Sequence, residues 1–279
     1  MQQLPDPDSL WPLRHSVSTP SITYRVREGG EQIVVLLHGV GSSASTWSRL
    51  APLLDPGFTL VMPDYRGHGS SEAPRPPYSS DDFVDDLFRL LDELGIAEFH
   101  LLGFSIGAIV AQAAALADPA RVLSLVLLNS IAGRTEAERV RALQRLEHIR
   151  RTDPAEVAAA SVERWFTSGF AAENPEAVGA EVEIVASNRS EPYAAAYEVL
   201  ATTDLIEEVG AISRPVLLVT GENDRGSTPR MSEAIQARIP GSELVVVPGL
   251  KHYLHIEAPE LIADLVNGFL RSQAAPNHP

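Results

Sequence analysis

The chain has 279 residues, of which 44% are apolar and 21% charged, enough for one large domain with an insertion and a full core. The formal net charge of −15 argues against nucleic acid, which needs clustered Lys and Arg, but it leaves room for an anionic substrate, because one well-placed Arg can bind a carboxylate locally. The chain contains no cysteine, which excludes disulfides, thiolate zinc sites and a cysteine nucleophile.

The opening segment is rich in Pro and polar residues and reads as a loose arm, with no apolar run of signal-peptide length through Thr19. No stretch approaches the roughly 18 apolar residues of a membrane span, so the expected location is the cytoplasm. Residues 21–26 read as a strand and 27–32 as a turn carrying Gly29 and Gly30. Residues 33–37 form a continuous apolar run of the kind buried on both faces of a parallel sheet. Similar runs recur at 59–62, 99–102, 122–128, 216–219 and 244–247.

Helical patterns lie between these runs. Residues 81–94 carry Phe83, Leu87, Leu90, Leu91 and Leu94 at helical spacing and end at Gly95. Residues 106–117 are small and apolar nearly all round, which predicts a buried helix, and 229–239 and 258–270 are amphipathic. Alternating strands and helices imply a mostly parallel α/β sheet flanked by helices. The alternation stops between Ile131 and Ile212, where helical patterns at 136–150, 154–166, 175–187 and 192–201 replace strands. Pro154, Pro175 and Pro192 stand where helices begin. The expected organisation is a core of residues 1–130 and 213–279, with a helical cap of residues 131–212 inserted between sheet strands.

The strongest chemical signal is Gly103-Phe104-Ser105-Ile106-Gly107, between a predicted strand and a predicted helix. That is the context of a nucleophile elbow, a turn so tight that its flanking positions must be nearly free of side chain. The helix N-terminus behind Ser105 favours developing negative charge. His38-Gly39-Val40-Gly41-Ser42-Ser43 follows the run 33–37. The backbone N–H of Val40 and that of Ile106 are the candidate oxyanion donors, and two such preorganised groups lower the barrier by several kcal/mol. His38 itself is expected to brace the loop.

A serine hydroxyl needs a base. Pro248-Gly249-Leu250-Lys251-His252 follows the last strand, so His252 is the candidate base, with His255 as its competitor in the next turn. The preceding strand runs into Thr220-Gly221-Glu222-Asn223-Asp224, which makes Asp224 the candidate orienting acid and Glu222 the alternative. The loop Asp64-Tyr65-Arg66-Gly67-His68-Gly69-Ser70-Ser71 is read as bracing the site. His15, His100, His148 and His278 stand at no such loop. Trp47 is read as core.

The runs HGVGSS, PDYRGHGSS, GFSIGA, TGEND and GLKHYLHIEAPE, in that order, resemble the α/β-hydrolase superfamily over about residues 33–270. The resemblance implies an α/β-hydrolase fold, with Ser105, Asp224 and His252 as nucleophile, acid and base and Val40 and Ile106 as oxyanion donors. Within the superfamily, Ile109-Val110-Ala111-Gln112, Glu163-Arg164-Trp165-Phe166-Thr167 and Tyr193-Ala194-Ala195-Ala196 before Thr203-Asp204-Leu205 are similar to 3-oxoadipate enol-lactonases. Meta-cleavage carbon–carbon hydrolases and amide hydrolases of heteroaromatic catabolism resemble it nearly as well. Ala108, and a loop after Asp224 longer than the common Asp-x-x-x-Pro, depart from the family pattern.

The expected function is hydrolysis of a small carboxylated ester or lactone through an acyl-enzyme. Carbon–carbon or amide hydrolysis is the alternative, and a ligand-binding sensor on the same fold is the reading from another class. Arg164 and Trp165 are the candidates for holding the carboxylate and an apolar part of the substrate; packing of Trp165 in the cap with Arg164 solvated is the competing reading. No metal or cofactor is expected. The partner is a small molecule, without nucleic acid or membrane, and the sequence leaves a homo-oligomer open.

Overall fold

The computed structural model describes residues 10–274, so the first nine residues of the expected arm lie outside the described residues. Eight strands build one sheet: β1 (Arg14–His15), β2 (Thr23–Arg27), β3 (Gln32–Leu37), β4 (Phe58–Pro63), β5 (Phe99–Phe104), β6 (Val122–Leu128), β7 (Val216–Gly221) and β8 (Glu243–Val247). Their spatial order is β1-β2-β4-β3-β5-β6-β7-β8. Every pairing from β4 to β8 is parallel; only β1 with β2 and β2 with β4 are antiparallel. The apolar runs fall in the central strands, and β5 and β7 are buried along their whole length. The last run, in β8, is an edge strand with only Val247 fully buried. Its other apolar residues, Leu244 to Val246, are only half-buried, as the end of the sheet leaves them partly open to solvent.

In chain order the helices are α1 (Ser80–Glu93) and α2 (Ile106–Ala117), then α3 (Glu136–Arg151), α4 (Pro154–Ala159), α5 (Val162–Trp165), α6 (Ser168–Glu173), α7 (Pro175–Ala186) and α8 (Ser190–Thr202) between β6 and β7. After β7 come α9 (Pro229–Arg238), α10 (Leu254–Glu257) and α11 (Pro259–Ala274). Reciprocal capping boxes start α1 (Ser79 with Asp82) and α3 (Thr135 with Glu138), satisfying backbone donors that the first turn leaves open. The expected helix 154–166 is broken in two. Ser161 turns its hydroxyl onto the Val157 carbonyl at 2.6 Å and accepts Arg145 Nη2 at 2.6 Å, and the chain leaves the helix there. In the helical insert α3 packs on α8 and α4 on α7.

Two glycines make the β5–α2 turn possible. A Cβ on Gly103 would stand 2.3 Å from the Gly107 carbonyl oxygen, and one on Gly107 would stand 2.1 Å from that of Leu37. Both obstacles are backbone, so neither position can take a side chain while β3, β5 and α2 stay packed. Between them Ser105 adopts φ +57°, a left-handed conformation that costs a non-glycine residue of order 1 kcal/mol or more. This strain is paid for by the surrounding sheet and is concentrated at the residue singled out for chemistry.

Candidate active site

Ser105, Asp224 and His252 come from three loops at the ends of β5, β7 and β8, and all three line one cavity of about 600 Å³. His252 Nδ1 lies 2.6 Å from Asp224 Oδ2, which leaves Nε2 as the ring nitrogen available to the cavity. Among the described residues Ser105 Oγ makes no hydrogen bond to His252. Asp224 is held at both oxygens. Oδ1 accepts the N–H groups of Gly226 (2.8 Å) and Ser227 (3.0 Å), and Oδ2 accepts Asn129 Nδ2 at 2.5 Å besides His252. Burial would raise the pKa of Asp224, but the charge and hydrogen bond of His252, with the donors Ser227 and Asn129, outweigh it and hold it below the ordinary carboxylate value. The longer loop after Asp224 thus supplies two of its clamping N–H groups.

Asn129 went unrecognised in the sequence. It stands at the end of β6, at φ +49°, with no exposed surface. Its only sequence signal is position: a polar side chain directly after the buried run next to the Ser105 strand. Glu222, the alternative acid, instead accepts the Gly249 N–H at 2.8 Å on the exposed side.

The loop that follows β3, before β4, is organised around its amides. Gly41 N–H donates to His68 Nε2 (3.0 Å), Ser42 N–H to the Gly39 carbonyl (3.1 Å) and Ala44 N–H to Asp64 Oδ1 (2.7 Å). The N–H groups of Val40 and Ile106 have no partner among the described hydrogen bonds, and Val40 lines the cavity. His38 is fully buried, with Nδ1 at 2.7 Å from the Gly39 carbonyl and Nε2 accepting the Tyr65 N–H at 3.1 Å. The 64–71 loop is thus a brace: Arg66 pairs with Asp82 and Asp86, while Asp64 and His68 hold the β3 loop. His255 faces away from the cavity, its Nε2 3.0 Å from Thr46 Oγ1, which donates to the buried Glu181 Oε2 at 3.1 Å.

Trp165 is buried in the cap and also borders the cavity. Its ring lines the cavity and packs on Tyr253 with centroids 5.1 Å apart. Its carbonyl accepts the N–H groups of both His252 and Tyr253 at 3.1 Å, tying α5 to the loop of the candidate base. Arg164 lines the same cavity, and so do Arg145, Tyr193 and Tyr197. On α3 the lining positions Glu138, Arg141, Ala142 and Arg145 recur at helical spacing, so one face of this helix borders the cavity.

The buried titratable groups fix how stability depends on pH. Burial pushes His38 and His100 down to about 4, and burial pushes His68 (with help from His38) and His255 (with help from His252) down to about 3. Unfolded, each returns to about 6.5, so as pH falls from 6.5 towards 4 the unfolded state binds four protons that the folded state does not. Burial raises Glu181 to about 7, and in the same window it gives back one proton on unfolding. The net uptake of three protons near pH 5.5 should lower the unfolding free energy by about 4 kcal/mol per pH unit. Urea denaturation between pH 7 and pH 5 measures this; a midpoint that stays flat or rises on acidification would contradict the buried neutral histidines.

Residues 32–259 match the family model described as the alpha/beta hydrolase fold. The 3-oxoadipate enol-lactonase 2 of Acinetobacter baylyi is 28% identical over 85% of this chain and 88% of its own. From the same organism, (E)-2-((N-methylformamido)methylene)succinate hydrolase is 25% identical over 88% of this chain and 92% of its own. The crystal structure of the enol-lactonase from Burkholderia xenovorans superimposes with a TM-score of 0.84 at 27% identity, covering 92% of this chain and all of the other. Among the described residues, no helix is long and apolar enough to cross a membrane.

Proposed function

The chain belongs to the alpha/beta hydrolase fold family, and on that premise we propose that it is a serine hydrolase cleaving a small carboxylated ester or lactone through an acyl-enzyme. The observation that carries this reading is the Asp224–His252 hydrogen bond of 2.6 Å at the mouth of the cavity that Ser105 also lines. Ser105 Oγ attacks the carbonyl carbon while His252 Nε2 takes its proton. The tetrahedral oxyanion is held by the N–H groups of Val40 and Ile106, neither of which has a partner among the described hydrogen bonds. Collapse expels the leaving oxygen, which takes the proton from His252. In the second half a water gives its proton to His252 and attacks the acyl carbon; collapse breaks the bond to Ser105 Oγ, which takes that proton back from His252 as the acid leaves. Asp224 stabilises the imidazolium in both halves. In a lactone the leaving oxygen stays tethered to the acyl group, and one ring-opened acid is the product.

The helical insert over residues 131–212 acts as the cap that sets specificity, with Arg164 and Trp165 meeting the substrate's carboxylate and apolar portion. Relatives named for an enol-lactone and for a succinate derivative support a carboxylated substrate. Labelling with a fluorophosphonate followed by peptide mass spectrometry tests the nucleophile. A single adduct on the peptide containing Ser105, with loss of esterase activity in proportion to labelling, is expected. Labelling confined to another residue, or full activity in fully labelled Ser105, would overturn the reading.

A further inference from the structure

We propose that Arg145 and Arg164, with the phenols of Tyr193 and Tyr197, form a clamp for one free carboxylate of the substrate, and that Arg145 sets the preference for anionic over neutral substrates; this rests on the serine-hydrolase reading above. All four side chains belong to the helical insert, on α3, α5 and α8, and face the cavity that Ser105 lines from the sheet side. The substrate is thus reached from two directions, its carbonyl by the sheet loops and its charge by the helices.

The charge balance points to an anion. Arg145 Nη2 donates to Ser161 Oγ at 2.6 Å and to the Val157 carbonyl at 3.4 Å, and these fix the guanidinium without neutralising it. Its Nε is buried with no partner. The charged or ionisable groups acting on it are Arg164, Tyr193 and Tyr197, and none of them is a carboxylate. Neither Arg145 nor Arg164 takes part in any of the described ion pairs. Of the other arginines that line the cavity, Arg141 and Arg225 are exposed to solvent, so water already screens their charge, while the half-buried Arg145 and Arg164 are shielded from it. Arg134 donates to the Leu200 and Thr203 carbonyls, and Arg230 pairs with Glu138, the carboxylate of α3 that lines the cavity.

Two unneutralised guanidiniums facing one enclosed space repel each other, and a carboxylate between them would turn that repulsion into two charge-assisted contacts. Burial raises Tyr193 to about 12 and also raises Tyr197, so both phenols stay protonated and can donate to the same anion. Tyr193 also joins the clamp to the reacting end. A Cβ on Gly41 would lie 2.6 Å from its ring, so the ring rests directly on the loop that presents the Val40 N–H.

The test compares kcat/KM for mono-p-nitrophenyl glutarate and for the neutral p-nitrophenyl butyrate. Wild type is expected to favour the anionic ester, and Arg145→Gln and Arg164→Gln should each lower that ratio by about 30-fold or more. Because one carboxylate serves both residues, the double variant should fall much less than the product of the two singles. Arg164→Gln guards against misfolding, since its side chain makes no hydrogen bond to Ser161 or Val157 as that of Arg145 does, and the backbone bond from Arg164 N–H to the Ser161 carbonyl survives the substitution. Glutarate should inhibit wild type competitively and bind the inert Ser105→Ala protein, but bind neither Arg variant with comparable strength. An unchanged ratio in both Arg variants, or losses that multiply in the double variant, overturns the clamp. Those results, with Ser105 still labelled by a fluorophosphonate, sink the clamp alone, whereas absence of Ser105 labelling sinks the hydrolase reading beneath it.

Discussion

Replacing Ser105 with alanine is expected to lower kcat for an activated ester by about 10⁵-fold or more while leaving the fold intact. The reason for the intact fold is local. Alanine has the same Cβ as serine and meets the φ +57° turn at the same cost, and among the described residues the hydroxyl makes no hydrogen bond whose loss would destabilise the protein. The large kinetic loss follows from the proposed mechanism, in which no acyl-enzyme forms without Oγ and His252 with the N–H groups of Val40 and Ile106 can at best assist a water. That residual assistance is worth roughly 10³–10⁴ over the uncatalysed reaction in comparable sites. Steady-state kinetics with p-nitrophenyl butyrate, alongside a thermal melt, measure both sides. Equal rates in the two proteins would remove Ser105 from the mechanism. A melt lowered by many degrees would instead mean that the hydroxyl has a structural role that its contacts do not show.

Sequence periodicity reached the central sheet because its strands are buried on both faces, and a run such as residues 122–128 has no competing explanation once turns bound it. It did not reach β1, whose two exposed residues have no pattern to read. The break in the expected helix 154–166 was hidden because Ser161 tolerates a helix: its hydroxyl bonds the Val157 carbonyl, as a helical serine can, and its second partner, the Arg145 guanidinium, lies sixteen residues earlier. The placement of Ser105 in the tight β5–α2 turn and of His252 in the loop after the last strand was legible from local context, because the glycines and the bounding runs carry it. Asn129, Arg145 and the Thr46–Glu181–His255 network are defined by contacts across 95, 16, 135 and 209 positions, which no local pattern encodes. The loop after Asp224 read as a departure from the family pattern, but its extra length has a purpose: it brings the Gly226 and Ser227 N–H groups onto Oδ1.

Asp224→Asn should cost about 10⁴-fold in kcat, because the site offers the new amide no comfortable orientation. With its oxygen towards Gly226 and Ser227, its NH₂ group points at two further donors, His252 Nδ1–H and Asn129 Nδ2. Turned over, the NH₂ group faces the two backbone N–H groups instead. Relief comes only if His252 changes tautomer, accepting at Nδ1 and carrying its proton on Nε2, and that imidazole cannot take a proton from Ser105. Asn129→Ala should be milder, about tenfold, since Asp224 keeps its charge and its bond to His252 and loses one donor. Glu222→Gln should be near neutral, because that carboxylate holds the Gly249 N–H and not the imidazole. The order wild type ≈ Glu222→Gln > Asn129→Ala > Asp224→Asn, in kcat for the anionic ester, is the readout. If Glu222→Gln proved the most damaging of the three, the acid would have to be reassigned to the strand end. A full loss in Asn129→Ala would mean that the end of β6 does more than hold Asp224: two strands, and not one, would then orient the base.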